Sequence, residues 1–202
     1  MSQVYGSVRF CAPLIAAVAA LSCGKGAGPL TFEARVSDLR RPGNHLARDK
    51  NPDDLIQVRL PGQLIAPPVA VDPVSRDQAD WSTPERATAS ILSANRAGDT
   101  SWAVLNFVPA EREGIARQLA DRGFAQSTFA TYRNMGKVHI TARAEQGGFT
   151  VVFLRGLDED GDSSLMTVVL APTPLGWRQT NALVNDDTFD VVWTAFQTGG
   201  MH

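Results

Sequence analysis

The spacing of apolar residues changes part-way along this chain, and that change fixes the class of fold it can adopt. From Ser82 the spacing is helical. Ser82 can cap a helix, Pro84 fits its first turn and Glu85 completes a capping box. Ala87, Ile91, Leu92 and Ala94 follow as an apolar stripe, and Gly98 stops the helix. Asp99 can cap a second, short helix carrying Trp102, Leu105, Asn106 and Phe107, which Pro109 breaks. A third helix opens on Glu111 and Glu113, presents Ile115, Ala116 and Leu119, and ends at Gly123.

From Phe124 the spacing becomes two. Phe129, Thr131 and Arg133 alternate with Ala130 and Tyr132. Val138, Ile140, Ala142 and Ala144 alternate with polar neighbours, which predicts a strand with one buried and one wet face. Gly147-Gly148 marks a hairpin. Phe149–Arg155 is apolar on both faces, so the sequence predicts a central, covered strand. Leu165–Leu170 returns after the turn at residues 158–162. Trp177–Leu183 makes the last strand after Pro172-Thr173-Pro174-Leu175-Gly176. Asp186 or Asp187 then caps a closing helix with Phe189, Val192, Trp193 and Phe196 on its apolar side, and residues 199–202 read as a frayed end. Helices followed by an antiparallel meander mean α+β and exclude a parallel α/β sheet.

The segment before residue 82 has a different composition. Residues 24–81 hold seven of the twelve prolines, while residues 82–202 hold eleven of the fifteen aromatics. The first stretch therefore reads as a tether, residues 23–81, that cannot build much core alone. Two pieces in it can form accessory strands, Leu30–Val36 and Leu55–Leu60. Ala66–Pro73 reads as an extended, polyproline-like spacer.

Residues 1–22 have the layout of a secretory signal: Arg9, then the apolar run Phe10–Leu21. The run is too short for a membrane span, which needs about 20 apolar residues. It ends Ala20-Leu21-Ser22-Cys23-Gly24. Small residues before a cysteine at this place resemble the lipobox of bacterial lipoproteins. That resemblance implies a lipidated Cys23, a membrane anchor and a protein facing the periplasm. Plain cleavage after Ala20-Leu21-Ser22 would give a soluble periplasmic protein instead. Cys11 leaves with the signal, so Cys23 is the only thiol remaining. Two cysteines exclude a disulfide-built scaffold and every multi-cysteine metal site. The 19 basic and 21 acidic residues, net −2, argue against a nucleic-acid partner.

Thr83-Pro84-Glu85 through Ala94-Asn95-Arg96-Ala97-Gly98-Asp99 is similar to the opening of NTF2-like (SnoaL-like) domains. The similarity in element order covers residues 82–184, within a domain spanning 82–202. It implies a cone in which the helices pack inside a curved antiparallel sheet, here with an added C-terminal helix. Such cones usually enclose a pocket, and they serve isomerases and dehydratases as well as pure binding or assembly modules. The candidate pocket residues are Trp102, Phe107, Tyr132, Phe153 and Trp177, with Arg155 or Asn181 supplying polarity.

No residue can be assigned as catalytic. His139 lies on the polar side of its strand, His45 lies in the tether and His202 is the last residue. Asp158, Asp160 and Asp162 place oxygens at alternate positions, which suits calcium, but the distal glutamate of an EF-hand loop is missing and a solvated acidic turn explains them. No cofactor is expected. The functional expectation is an exported, lipid-anchored binding or assembly module of the bacterial envelope, holding a small apolar ligand or an envelope protein. A small-molecule enzyme of the SnoaL or ketosteroid-isomerase kind is the rival. A third reading has residues 24–81 adding strands to a partner's sheet.

Overall fold

The computed structural model describes residues 28–157, 161 and 163–202; the expected signal segment 1–22, Cys23, and Asp158, Asp160 and Asp162 of the expected acidic turn lie outside them. The fold is α+β. A curved, open sheet runs in chain order, every neighbour antiparallel. Its strands are β1 (Pro29–Arg35), β2 (Leu55–Ala70), β3 (Lys137–Gln146), β4 (Phe149–Leu157), β5 (Ser163–Thr173) and β6 (Gly176–Gln179). Four helices come between β2 and β3: α1 (Pro84–Ala97), α2 (Thr100–Leu105), α3 (Arg112–Ala120) and α4 (Arg122–Arg133). The closing helix α5 spans Asp187–Thr198.

Both faces of the sheet are covered. On one, Ala87, Ile91 and Leu92 of α1 pack on Val138, Ile140, Val152, Leu154, Val168 and Leu170. On the other, Phe189, Val192, Ala195 and Phe196 of α5 pack on Phe32, Ile56, Ala142, Ala144, Val151 and Phe153. Phe153 stacks on Phe32 at 5.6 Å between centroids and meets Phe196 edge-on at 5.0 Å. The expectation of a covered central strand at residues 149–155 is met. On β3 the expected alternation is met, with Val138, Ile140, Ala142 and Ala144 buried and their polar neighbours half-buried or exposed, but the four do not share one face. A register shift between Ile140 and Ala142 turns the strand over, so Val138 and Ile140 face α1 while Ala142 and Ala144 face α5.

The expected strand from Phe124 to Arg133 is helix α4. Asp121 closes α3 and caps α4, its side chain accepting from Phe124 N at 2.8 Å. Ala125, Phe129 and Tyr132 share one helical face, which packs on the rest of the helical layer.

The stretch expected as a tether supplies two of the six strands. Leu30, Phe32, Ala34, Ile56 and Leu60 are buried in the core beneath α5. The spacer expected at residues 66–73 runs along β3: Val69 and Ala70 pair with Ile140 and His139, and Val71 N donates to Val138 O. The prolines Pro67 and Pro68 fall in the gap between the paired Leu64 and Val69, where the ladder needs no N–H. The β1–β2 connection is clasped to α5. Asp190, fully buried, accepts from Asn44 Nδ2 at 3.0 Å and from Arg41 N at 3.3 Å. Asp187 pairs with Arg41 at 2.7 Å and with the ring of His45, so His45 is a docking contact.

Both edge strands, β1 and β6, carry backbone partners, which narrows the template for aggregation. Along β1 the last residues form a short antiparallel partner. Thr31 N donates to His202 O, His202 N to Thr31 O, and Glu33 N to Gly200 O. The expected frayed end is therefore structured. Along β6, Trp177 N donates to Trp81 O, Gln179 N to Asn106 O, and Val108 N to Gln179 O. Gly176 permits the first of these contacts: its φ is +93° and a Cβ there would sit 2.3 Å from Trp81 O.

Candidate functional site

The helical layer frames a pocket of about 180 Å³, partly open to solvent, where α1–α4 meet the end of β6. Local sequence builds it. Gly98 ends α1 in a left-handed cap, and Asp99 at once caps α2, accepting from Trp102 N at 2.9 Å. This sharp turn folds α2 back along α1. Asn106, fully buried, then pins three segments together. Its Oδ1 accepts from Trp81 Nε1 at 2.8 Å and its Nδ2 donates to Ser90 O at 3.3 Å. Its backbone carbonyl takes Gln179 N, which fixes the end of β6 against α2.

The Glu111 carboxylate holds the residues that follow, accepting from the Thr180 hydroxyl at 2.5 Å and from Asn181 N at 3.0 Å. Arg96 reaches from α1 to the carbonyls of Tyr132 and Gly136, closing the C-terminal end of α4. Each wall of the cavity is thus anchored by a hydrogen bond outside it.

The apolar part of the walls is Ala103, Phe107, Ile115, Leu119 and Phe124. Polarity comes from Asn95, Gln118, Thr128, Tyr132, Gln179 and Asn181. Asn95 Nδ2 is engaged with Ile91 O at 2.8 Å. Gln179 Oε1 is buried with no hydrogen-bond partner among the described residues. The Tyr132 phenol is the one ionisable group in the lining. Burial pushes its pKa above the ordinary tyrosine value, so it is protonated at neutral pH.

Of the residues expected at a pocket, the structure brings Phe107, Tyr132 and Asn181 to this cavity. Trp102 is buried beside it in the helical core. Phe153 faces α5 on the opposite side of the sheet. Arg155 is exposed, cross-strand from His139. Trp177 packs against the α1-facing core near Trp81. Asn95, Phe124 and Gln179 were not expected. Asn95 had a legible signal, because it follows Ile91 by four residues and so falls on the apolar stripe of α1. Gln179 had one too, since it follows Trp177 by two and shares its inward face.

Among the described residues, no three His, Cys, Asp or Glu side chains gather as metal ligands. No described helix is long and apolar enough to cross a membrane. Comparison with protein-family models, curated proteins and solved structures finds no match for this chain.

Proposed function

We propose that this protein is an exported binding module, anchored to the bacterial envelope by lipid on Cys23, that holds a small apolar ligand in the cavity between α1–α4 and β6. The cavity lining carries the reading. It combines five apolar residues with six neutral polar ones, and more of its exposed lining is apolar than polar, as in a small-molecule site. Its one ionisable group stays protonated at neutral pH, which suits recognition by hydrogen bonding. The signal layout of residues 1–22 and the cysteine that follows support the anchor. Two or more acyl chains hold a protein firmly on a membrane, where one does so only marginally. The succession of α1–α4 and then β3–β6 supports an NTF2-like relationship for residues 82–184. On that view β1, β2 and α5 are additions that widen the sheet and cover its second face.

Two measurements test the two parts. Cys23→Ser should move the protein from the membrane to the soluble fraction; an unchanged distribution contradicts the anchor. Ligand-observed NMR of the full chain with a mixture of small neutral fragments should find saturable binders, and Thr128→Phe, which fills the cavity, should abolish their binding. Binding that survives in a folded Thr128→Phe variant contradicts the site.

A further inference from the structure

We infer that β2, from Gln63 to Ala70, is the membrane-facing edge of this fold and rests on the headgroup layer of the lipid bilayer. The inference rests on the proposed lipid at Cys23 and adds the side of the fold that this anchor brings down. The length of the leash comes first. β1 begins at Pro29, six residues after Cys23. An extended chain covers about 3.5 Å per residue, so an acylated Cys23 lies no more than about 21 Å from Pro29. A domain of this size is roughly 40 Å across. The leash is half of that, so the side of the fold carrying Pro29 stays next to the bilayer.

The surface beside Pro29 comes next. Pro29 pairs with Pro61, the last residue of β2 that β1 covers. Beyond it β2 runs on to Ala70, paired with β3 on one side and with no strand on the other among the described residues. Residues 62–71 hold no charged side chain. Leu64 and Val69 are 51% and 49% exposed, and Ala66, Pro67, Pro68 and Ala70 are exposed as well. Leu64 pairs with Ala142 and Val69 with Ile140, which face α5 and α1 respectively, so apolar side chains flank the edge on both rims. A contiguous apolar strip of this kind marks a contact surface.

The backbone then selects the occupant. Pro67 and Pro68 have no N–H to donate, which makes this edge a poor template for a partner's strand. The same missing donors lower the cost of taking the edge out of bulk water. The other outward backbone groups still need hydrogen bonds, which headgroups and interfacial water supply and acyl chains do not. That sets the strip at headgroup level. β6 lies four strands away, about 19 Å along the sheet, so Leu175 in the turn before it, 70% exposed, marks the far side.

With Cys23 acylated and Cys11 removed, one introduced cysteine is the only thiol that takes a fluorescent label. The full chain is expressed with its own signal, purified with its lipid, and reconstituted into vesicles of phosphatidylethanolamine and phosphatidylglycerol. A label on Val69→Cys should be quenched at least twofold by lipid carrying a nitroxide on its headgroup, and one on Leu175→Cys should not. Adding Leu64→Glu to Val69→Cys, a change at a half-exposed side chain, should bring quenching down to the Leu175 level while the protein still floats with the vesicles. Equal quenching at Val69 and Leu175, or quenching that ignores Leu64→Glu, overturns the inference and leaves the anchor standing. A Val69 label shielded from iodide yet untouched by the lipid nitroxide shows a second copy on the edge, and overturns it too. A chain that does not float with the vesicles overturns the anchor, and this inference with it.

Discussion

Gly200 lies against Glu33 so closely that its carbonyl accepts from Glu33 N at 2.8 Å, and a Cβ on Gly200 would sit 2.1 Å from the Glu33 carbonyl oxygen. The pair decides how the sheet ends. Gly199, at φ +81°, turns the chain out of α5, and Gly200 lets it lie flat along β1. Phe32 and Met201 then face each other across the last bridge.

Gly200→Ala should therefore detach the tail. The expected cost is about 1–3 kcal/mol, read as a lower urea midpoint at unchanged slope. The uncovered β1 edge should also promote self-association, visible by size-exclusion chromatography. A variant as stable and as monodisperse as the parent would contradict the tail's role.

Two N-cap aspartates should differ in weight. Asp121 accepts one bond, from Phe124 N, and Asp121→Ala should cost about 1 kcal/mol. Asp186 accepts from Phe189 N at 2.8 Å and from Gln146 Nε2 at 2.7 Å. Asp186→Ala should cost about 2 kcal/mol, because it also strands the buried Gln146 amide. A double-mutant cycle with Gln146→Ala checks this. The two losses should be less than additive; strict additivity would mean that the 2.7 Å contact carries no energy.

Acid should weaken the fold over a definite window. Asp80 is held down to about 2, first by its hydrogen bond with Arg86 and then by the Ser82 N–H. Asp99 is lowered chiefly by the Trp102 N–H that it caps, and Asp187 by the backbone and ring of His45. A carboxyl depressed in the folded state contributes stability above its unfolded value, and that stability is lost as pH falls through the folded value. Urea unfolding should show this contribution constant above about pH 5 and declining between about pH 4 and pH 2. Asp80→Asn should flatten part of that decline. An unaltered pH profile would show that the Arg86–Asp80 pair carries no pH-dependent stability.

The legible parts of the fold were those whose local signals agree. The α1 start, the Gly98-Asp99 turn, the Gly147-Gly148 hairpin and the double-faced β4 each join a pattern to a punctuating residue. Helix α4 was misread because Phe129, Ala130, Thr131 and Tyr132 fit a period of two as well as a helical one over so short a window. Gly123, taken as a helix stop, lies inside α4, and the true boundary is Asp121. In the 29–70 region the strands Leu30–Val36 and Leu55–Leu60 are legible, and β1 and β2 bear them out, but their place in the core is not. They hold few aromatics and find their core only against α5 and β3, contacts far away in sequence. Three of the expected pocket residues, Phe107, Tyr132 and Asn181, do share a cavity. Phe153 and Trp177 lie elsewhere because a large aromatic fills a core as readily as it lines a pocket.

The central claim is that ligand enters the cavity between α1–α4 and β6. Backbone amide shifts of the full chain, followed during a titration with phenol as a small neutral fragment, test it most directly. The account predicts saturable changes centred on Asn95, Ala103, Tyr132 and Gln179, residues contributed by four separate elements. Changes centred on Arg40, Thr167 and Trp193, which line a groove on the α5 side of the sheet, or no saturable change at all, would contradict it.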